Sequence, residues 1–360
     1  MTVRNPEQPL EAMSPAGRKI LVMNCHEAWI HQLRHIAAEL HIVVGLAGRK
    51  VRGWDWRMRP LPSNGRITSL ERALAAGPDT YDLAVCHNIT DLLDLAVLRV
   101  PKLLVLHETL HGRMAQQGAT FDPQSMSAML ATYLESVGGH AVGVTPAKGE
   151  SWGVHGEPLY CCADPADYYE PTYAAAAGIR VANHVTSKRV FLAWDFHAEA
   201  FGSVGLTLVG HNPELGVSAA RDWDDLRAMF ACHRFQVHTA DPAYEDGFNM
   251  AVVEGLAAGL PLITNVHPTS PVVHGVNGFQ ARTPTEAREY AQCLVDDIAL
   301  ARRMGRMARD TVRRLFSVAA FRERFERAWR AAAESFGRSA GGAAVLPRSA
   351  EPVYDACVGR

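Results

Sequence analysis

The chain has 360 residues, 48% apolar and 21% charged, the mix of a folded globular protein rather than a disordered one. Its 36 basic and 38 acidic residues leave a formal charge of −2, without the basic excess of a general nucleic-acid binder. At roughly 150 residues per domain, this length predicts about two domains.

Residues 1–18 contain Arg4, Glu7, Glu11 and Arg18 and lack the apolar core of a secretory signal, so they read as a flexible leader. Lys19 to Asn24 is a short apolar run that suits a buried parallel strand. A helical stripe follows at Ile30, Leu33, Ile36, Ala37 and Leu40, then a second strand at His41 to Leu46. The rhythm repeats with strands at Asp82 to His87, Lys102 to His107 and Ala141 to Thr145. Around residues 160–178 it breaks in a segment rich in Asp, Pro, Tyr and Ala. A second series starts at Ile179 to Val185 and continues through Leu206 to Gly210, Phe235 to Thr239 and Pro261 to Thr264. Residues 286–330 read as helical throughout, and the tail from about Gly337 as disordered.

Alternating helices and uniformly apolar strands predict an α/β protein with two doubly wound, Rossmann-like domains facing across a cleft. The expected division is a leader at 1–18, a first domain at 19–165, a second at 166–335 and a tail at 336–360. The seven cysteines are scattered, with no C-x-x-C pair. They read as reduced thiols, which predicts a cytoplasmic protein. No apolar run approaches the roughly 18 residues of a membrane span.

The most informative stretch is Val237 to Gly278. A strand ends near Thr239, a loop carries Glu245, Asp246 and Gly247, and a helix beginning near Phe248 carries Glu254. A helix N-terminus offers free backbone N–H groups to an anion. The run Asp246-Gly247-Phe248-Asn249, then Glu254, then Gly255-Leu256-Ala257-Ala258-Gly259-Leu260-Pro261 resembles the signature of family 4 retaining glycosyltransferases, which have the two-domain GT-B fold. Gly275-Val276-Asn277-Gly278-Phe279 and the segment from Arg302 to Ser317 resemble that family's later motifs. The resemblance covers about residues 178–330.

The resemblance implies that Glu254 holds the ribose of a nucleotide and that Asp246 faces the donor sugar. Gly247, Phe248, Asn249 and the strand-end Thr239 fall among the donor-binding positions. Val181 to Lys188 lines up with an element that supplies an Arg and a Lys to the donor diphosphate. Lys188 matches, whereas the Arg position is Asn183. Leu208 to Glu214 resembles a strand end at which Gly210 lets the backbone approach the nucleotide. Asp is one methylene shorter than the family's Glu, so Asp246 has a shorter reach to the sugar.

The first half holds a second pattern. His107-Glu108-Thr109-Leu110-His111 spells H-E-x-x-H, which binds zinc when both histidines lie on one helix face. Here the preceding Leu103 to Leu106 reads as a strand, which puts His107 at a strand end. The resemblance gives that position a place near the donor sugar. His31 and His35 are four apart on the expected helix and read as an ordinary partly exposed face rather than a metal pair. Arg49 to Arg59 carries five cations, one acid and two tryptophans. It reads as a solvated loop with packed tryptophans, or as a contact for an anionic membrane surface or a phosphate-bearing acceptor.

Taken together, the resemblance implies transfer of a sugar from a nucleotide-diphosphate donor to a carbohydrate or lipid-linked hydroxyl, with retention, in surface polysaccharide or glycolipid synthesis. Asp246, Lys188 and His107 are the expected catalytic residues. The expected partners include no nucleic acid, and 49–59, read first as a solvated loop, is the segment left open for peripheral contact with the inner membrane face. No cofactor or metal is expected, because Lys188 and helix N-termini neutralise the diphosphate. Two alternatives stand beside this reading. One is a non-catalytic sugar-nucleotide-binding relative. The other is a zinc hydrolase using His107, Glu108 and His111.

Overall fold

The computed structural model describes residues 17–341 except 47, 49–52 and 78. Most of the expected leader, part of the 49–59 segment, Cys357 and the last 19 residues of the expected tail therefore lie outside the described residues.

The first sheet contains β1 (Lys19–Met23), β2 (Glu39–Val43), β3 (Gly65–Thr68), β4 (Leu83–Cys86), β5 (Lys102–Leu106) and β6 (Gly139–Gly143). Its spatial order is β3-β2-β1-β4-β5-β6, parallel throughout. Between the strands run α1 (Glu27–His31), α2 (Leu70–Ala75), α3 (Ile89–Asp94), α4 (Leu110–Gln117) and α5 (Pro123–Val137). After β6 comes α6 (Pro146–Ser151). The expected helix after β1 is short and tightens into a 3-10 turn at Gln32–His35. Leu40, read as its last apolar position, lies in the next strand instead.

The second sheet contains β7 (Gly178–Val181), β8 (Leu206–Val209), β9 (Phe235–His238), β10 (Leu262–Asn265) and β11 (Gly278–Ala281). Its order is β11-β10-β9-β7-β8, again parallel. Its helices are α7 (Trp194–Phe201), α8 (Trp223–Cys232), α9 (Met250–Ala258), α10 (Pro284–Asp296) and α11 (Ile298–Leu315). The last helix is α12 (Val318–Gly341). The fold is thus two Rossmann-like α/β domains in the GT-B arrangement.

Apolar side chains on both faces of the first sheet make two cores, and those of the second sheet make a third. The strands are buried on both sides, which is why they read as continuous apolar runs. Helix α12 crosses back: Phe321, Phe325, Ala328, Trp329 and Ala332 belong to a core of the first sheet. Their helical spacing makes one apolar stripe. Residues 318–335, counted by sequence with the second domain, therefore pack on the first. The helix also runs into the expected tail, through Gly341.

In each sheet the chain reverses direction at its first strand: between β1 and β4, and between β7 and β9. Open parallel sheets bind ligands beyond the carboxyl ends of their strands at such switch points. The loops leaving β5 and β6 meet the one leaving β9, through Thr109 with Tyr244 and Thr145 with Asp246.

Candidate functional site

Asp246 lies in the loop between β9 and α9 and is 1% exposed. Its carboxylate is held from both domains. Thr145, the N-cap of α6, donates its hydroxyl to Oδ2 at 2.9 Å, and Lys148 Nζ lies 3.2 Å from the same oxygen. Thr269, after β10, donates to Oδ1 at 3.3 Å and accepts from the Gly247 N–H at 2.9 Å.

Lys148 also reaches Glu245 Oε1 at 2.9 Å. Burial alone would lower the pKa of Lys148, but the charges of Glu245 and Asp246 outweigh it and hold the ammonium above its ordinary value. The reciprocal holds for Glu245. Burial would raise its pKa, and Lys148 pulls it below the usual carboxylate range. Sequence reasoning did not single out Thr145, Lys148 or Thr269. A signal for the first two existed, since Thr145-Pro146 directly after a strand is an N-cap followed by a helix-starting proline.

Helix α9 starts at Met250, two residues later than expected, because Asn249 is its N-cap and accepts from the Val252 N–H at 3.0 Å. Glu254 is therefore about one turn inside the helix. It is buried and makes an ion pair with Arg59 of the first domain, itself buried. Phe248 packs between Tyr160 and Phe316, ring centroids 6.0 and 5.2 Å away. Gly247 is tightly enclosed: a Cβ there would meet His267 Nδ1 and Ser270 N, each at 2.8 Å.

The loop leaving β7 carries Asn183, which is exposed and accepts the His211 N–H at 2.8 Å. Lys188 lies half-buried in the following turns, where its N–H donates to His184 O at 2.9 Å. Gly210, just after β8, has φ +145°, and a Cβ there would come within 2.0 Å of the Ala182 carbonyl oxygen. Its lack of a side chain serves the β7–β8 crossing. Thr239 is fully buried. It accepts from the Arg180 guanidinium at 2.7 Å and donates to Leu192 O at 2.6 Å. Arg180 is buried against Trp194, and burial lowers its pKa to about 9.

His107 follows β5 and shares a 2.8 Å hydrogen bond with His87, which follows β4. Both rings meet Trp29 edge-on, with centroids 5.4 and 4.9 Å away. Burial and the neighbouring imidazoles of His87 and His26 hold His107 well below the ordinary histidine value. His26 lies on the first loop, open to solvent. Surrounding protein, Arg59 and Lys188, in that order, shift its pKa down.

Glu108 and Thr109 separate β5 from α4, with Thr109 as the N-cap, so His107 and His111 do not share a helix face. This is not the mid-helix arrangement that H-E-x-x-H requires for zinc. Among the described residues, no group of three His, Cys, Asp or Glu side chains is placed to hold a metal. His31 is buried, with Nδ1 2.9 Å from Pro60 O and its ring against Trp223. No described helix is long and apolar enough to cross a membrane.

No protein-family model and no curated protein matches the chain in sequence. Solved structures match its fold. A sucrose-phosphate synthase from Thermosynechococcus elongatus is 15% identical, with a TM-score of 0.60 over 87% of this chain and 98% of that one. HepE from Anabaena, crystallised with UDP and glucose, is 13% identical, with a TM-score of 0.58 over 86% of this chain and 98% of that one. An alpha-glucosyltransferase in complex with UDP and a 13-mer DNA is 10% identical, with a TM-score of 0.59 over 87% of this chain and all of that one. At these identities the likeness establishes the two-domain fold.

Proposed function

We propose that the protein is a retaining glycosyltransferase of the family 4 type, moving a sugar from a nucleoside-diphosphate donor to an acceptor hydroxyl. The observation that carries this reading is the meeting of Asp246 and Glu254, from the second sheet, with Thr145, Lys148 and Arg59 from the first. A ligand between the switch points of two such sheets is gripped by both domains. The HepE structure holding UDP and glucose supports a nucleotide-sugar ligand for this arrangement.

In this reading Glu254 accepts hydrogen bonds from ribose hydroxyls. Asp246, fixed by Thr145, Lys148 and Thr269, orients donor-sugar hydroxyls beside Gly247 and Asn249. His107, kept neutral, is a hydrogen-bond partner for the same sugar. The bond between the anomeric carbon and the β-phosphate oxygen breaks, and the acceptor oxygen bonds to that carbon on the same face. The acceptor proton passes to the departing phosphate oxygen. Lys188 offsets the charge growing on the diphosphate, the kind of term that contributes most in such sites. Thr239 acts indirectly, by holding Arg180 beneath the β9 strand end.

The acceptor is proposed to be a saccharide or lipid-linked saccharide on the cytoplasmic side of a membrane. Exposed Trp56 beside Arg57 is the described part of 49–59 that supports contact with an anionic surface; residues 49–52 lie outside the described residues.

The test is turnover of nucleotide sugars in EDTA. Hydrolysis or transfer by the wild type, lost in a Glu254→Ala, Lys188→Ala double variant, supports the assignments; equal turnover by both proteins refutes them. Tight nucleotide binding with no turnover of any donor favours the non-catalytic relative, the reading that neutral Asn183 supports.

A further inference from the structure

We propose that Arg59 is the second cation of the diphosphate site, delivered from the first domain, with Glu254 as its resting partner in the empty cleft. This inference rests on the nucleotide-sugar reading and adds a residue to it.

A departing diphosphate carries more charge than one lysine offsets, and preorganised cations are what stabilise it. The second domain is short of them. Asn183 is neutral and its carbonyl oxygen is engaged by the His211 N–H. Arg180 is buried and donates to Thr239 and Leu192 O. Arg189 is paired with Asp195. From the first domain, Lys148 is already held by Glu245 and Asp246.

Lys148 is held by two carboxylates, whereas Arg59 is paired with Glu254 alone among the described residues. Its partner, Glu254, is itself a proposed ligand contact, so ribose binding must displace the guanidinium. It is also built to stay at the cleft once displaced, because its loop is tied to the first domain on both sides. Asn24 Nδ2 donates to Gly53 O at 2.9 Å, and the Asp55 N–H donates to Glu27 Oε1 at 3.3 Å. Trp54 Nε1 donates to Arg59 O at 2.8 Å, and His31 Nδ1 lies 2.9 Å from Pro60 O. The guanidinium sits 5.3 Å from the Trp223 ring centroid. Arg59 and Lys188 also both act electrostatically on His26, between β1 and α1. Arg59 reaches Glu254 from the first domain, and Lys188 follows β7 of the second. A guanidinium released there meets phosphate oxygens in the bidentate geometry it favours.

The experiment is calorimetric titration of wild type, Arg59→Gln and Arg59→Lys with UDP, GDP and ADP, each beside its nucleoside. Thermal melts confirm that each variant is folded, and Arg59→Lys keeps the charge if the Gln variant is not. For the diphosphate that binds wild type, Arg59→Gln is expected to weaken affinity about 10- to 100-fold, as for loss of a charge-assisted contact. Its nucleoside is expected to bind as well as before or tighter, because Glu254 is freed, and Arg59→Lys to recover part of the diphosphate affinity. If Arg59→Gln binds diphosphate as tightly as wild type, or if diphosphate and nucleoside tighten together, Arg59 is a plug on the ribose site and the inference fails. If wild type binds none of the three diphosphates, the nucleotide-sugar reading fails and takes this inference with it.

Discussion

Lys148 of the first domain lies 3.2 Å from Asp246 of the second, and the same ammonium lies 2.9 Å from Glu245. Lys148 and Asp246 are both buried, so this is a joint between the domains as well as part of the candidate site. An exposed pair contributes little, but removing one partner of a buried pair leaves the other charge uncompensated.

Lys148→Ala is therefore predicted to reduce stability by about 3–5 kcal/mol, read as a fall in the urea midpoint. The pH range of the contribution follows from the two shifts. The raised Lys148 pKa keeps its stabilisation whole below 10.5 and loses it only as pH climbs beyond that, through the folded value. The lowered Glu245 pKa keeps its share above 4.5 and loses it as pH falls through the folded value. The effect of the substitution should be constant from about pH 5 to 10. A loss under about 1 kcal/mol at pH 7 would mean that the pair behaves as a solvated one.

Thr239→Val separates a supporting role from a direct one. The hydroxyl is engaged by Arg180 and Leu192 O and has no exposed surface. Its loss leaves a buried guanidinium short of an acceptor, predicted to cost about 1–3 kcal/mol. Nucleotide affinity of the folded variant should stay within a few-fold of wild type. A large loss of affinity without loss of stability would make Thr239 a ligand contact instead.

Buried neutral histidines set the acid limit. Burial, then the His26 charge, lowers His87 to about 3, and burial, then Arg180, lowers His197 to about 2. The unfolded chain takes up protons below pH 6.5 while the folded chain does not, so stability rises with pH up to 6.5 and is level above it. From pH 7 to pH 5 each such residue is predicted to remove about 2 kcal/mol. Denaturant midpoints measured across this range should fall on acidification, and His87→Asn should reduce the slope by about one proton. An unchanged slope in that variant would show that His87 takes up its proton while folded.

The sequence made the two-sheet fold legible because each parallel strand is buried on both faces and leaves a continuous apolar run. The strands it did not mark are β3 and β11, four residues each, and Arg66 and Gln280 interrupt their apolar pattern. The helical run at 286–330 was legible as helix but not as three helices, since breaks at Asp297 and Phe316–Ser317 cost no apolar periodicity. Asp246 and Glu254 stood out because they lie within one ordered motif. Thr145, Lys148 and Arg59 are 101, 98 and 195 residues from their partners. A contact set by the packing of two domains leaves no local pattern.

Melting the wild-type chain against UDP-, GDP-, ADP- and CMP-sugars, in parallel with Glu254→Ala, tests the central claim most directly. A nucleotide sugar bound in this cleft stabilises the folded state by mass action, by about 2.7 kcal/mol at a hundredfold excess over Kd. The account predicts a clear rise in melting temperature with at least one of the three diphosphate sugars, lost in Glu254→Ala. A wild-type melting temperature that none of them moves, or a rise that survives in Glu254→Ala, would contradict it.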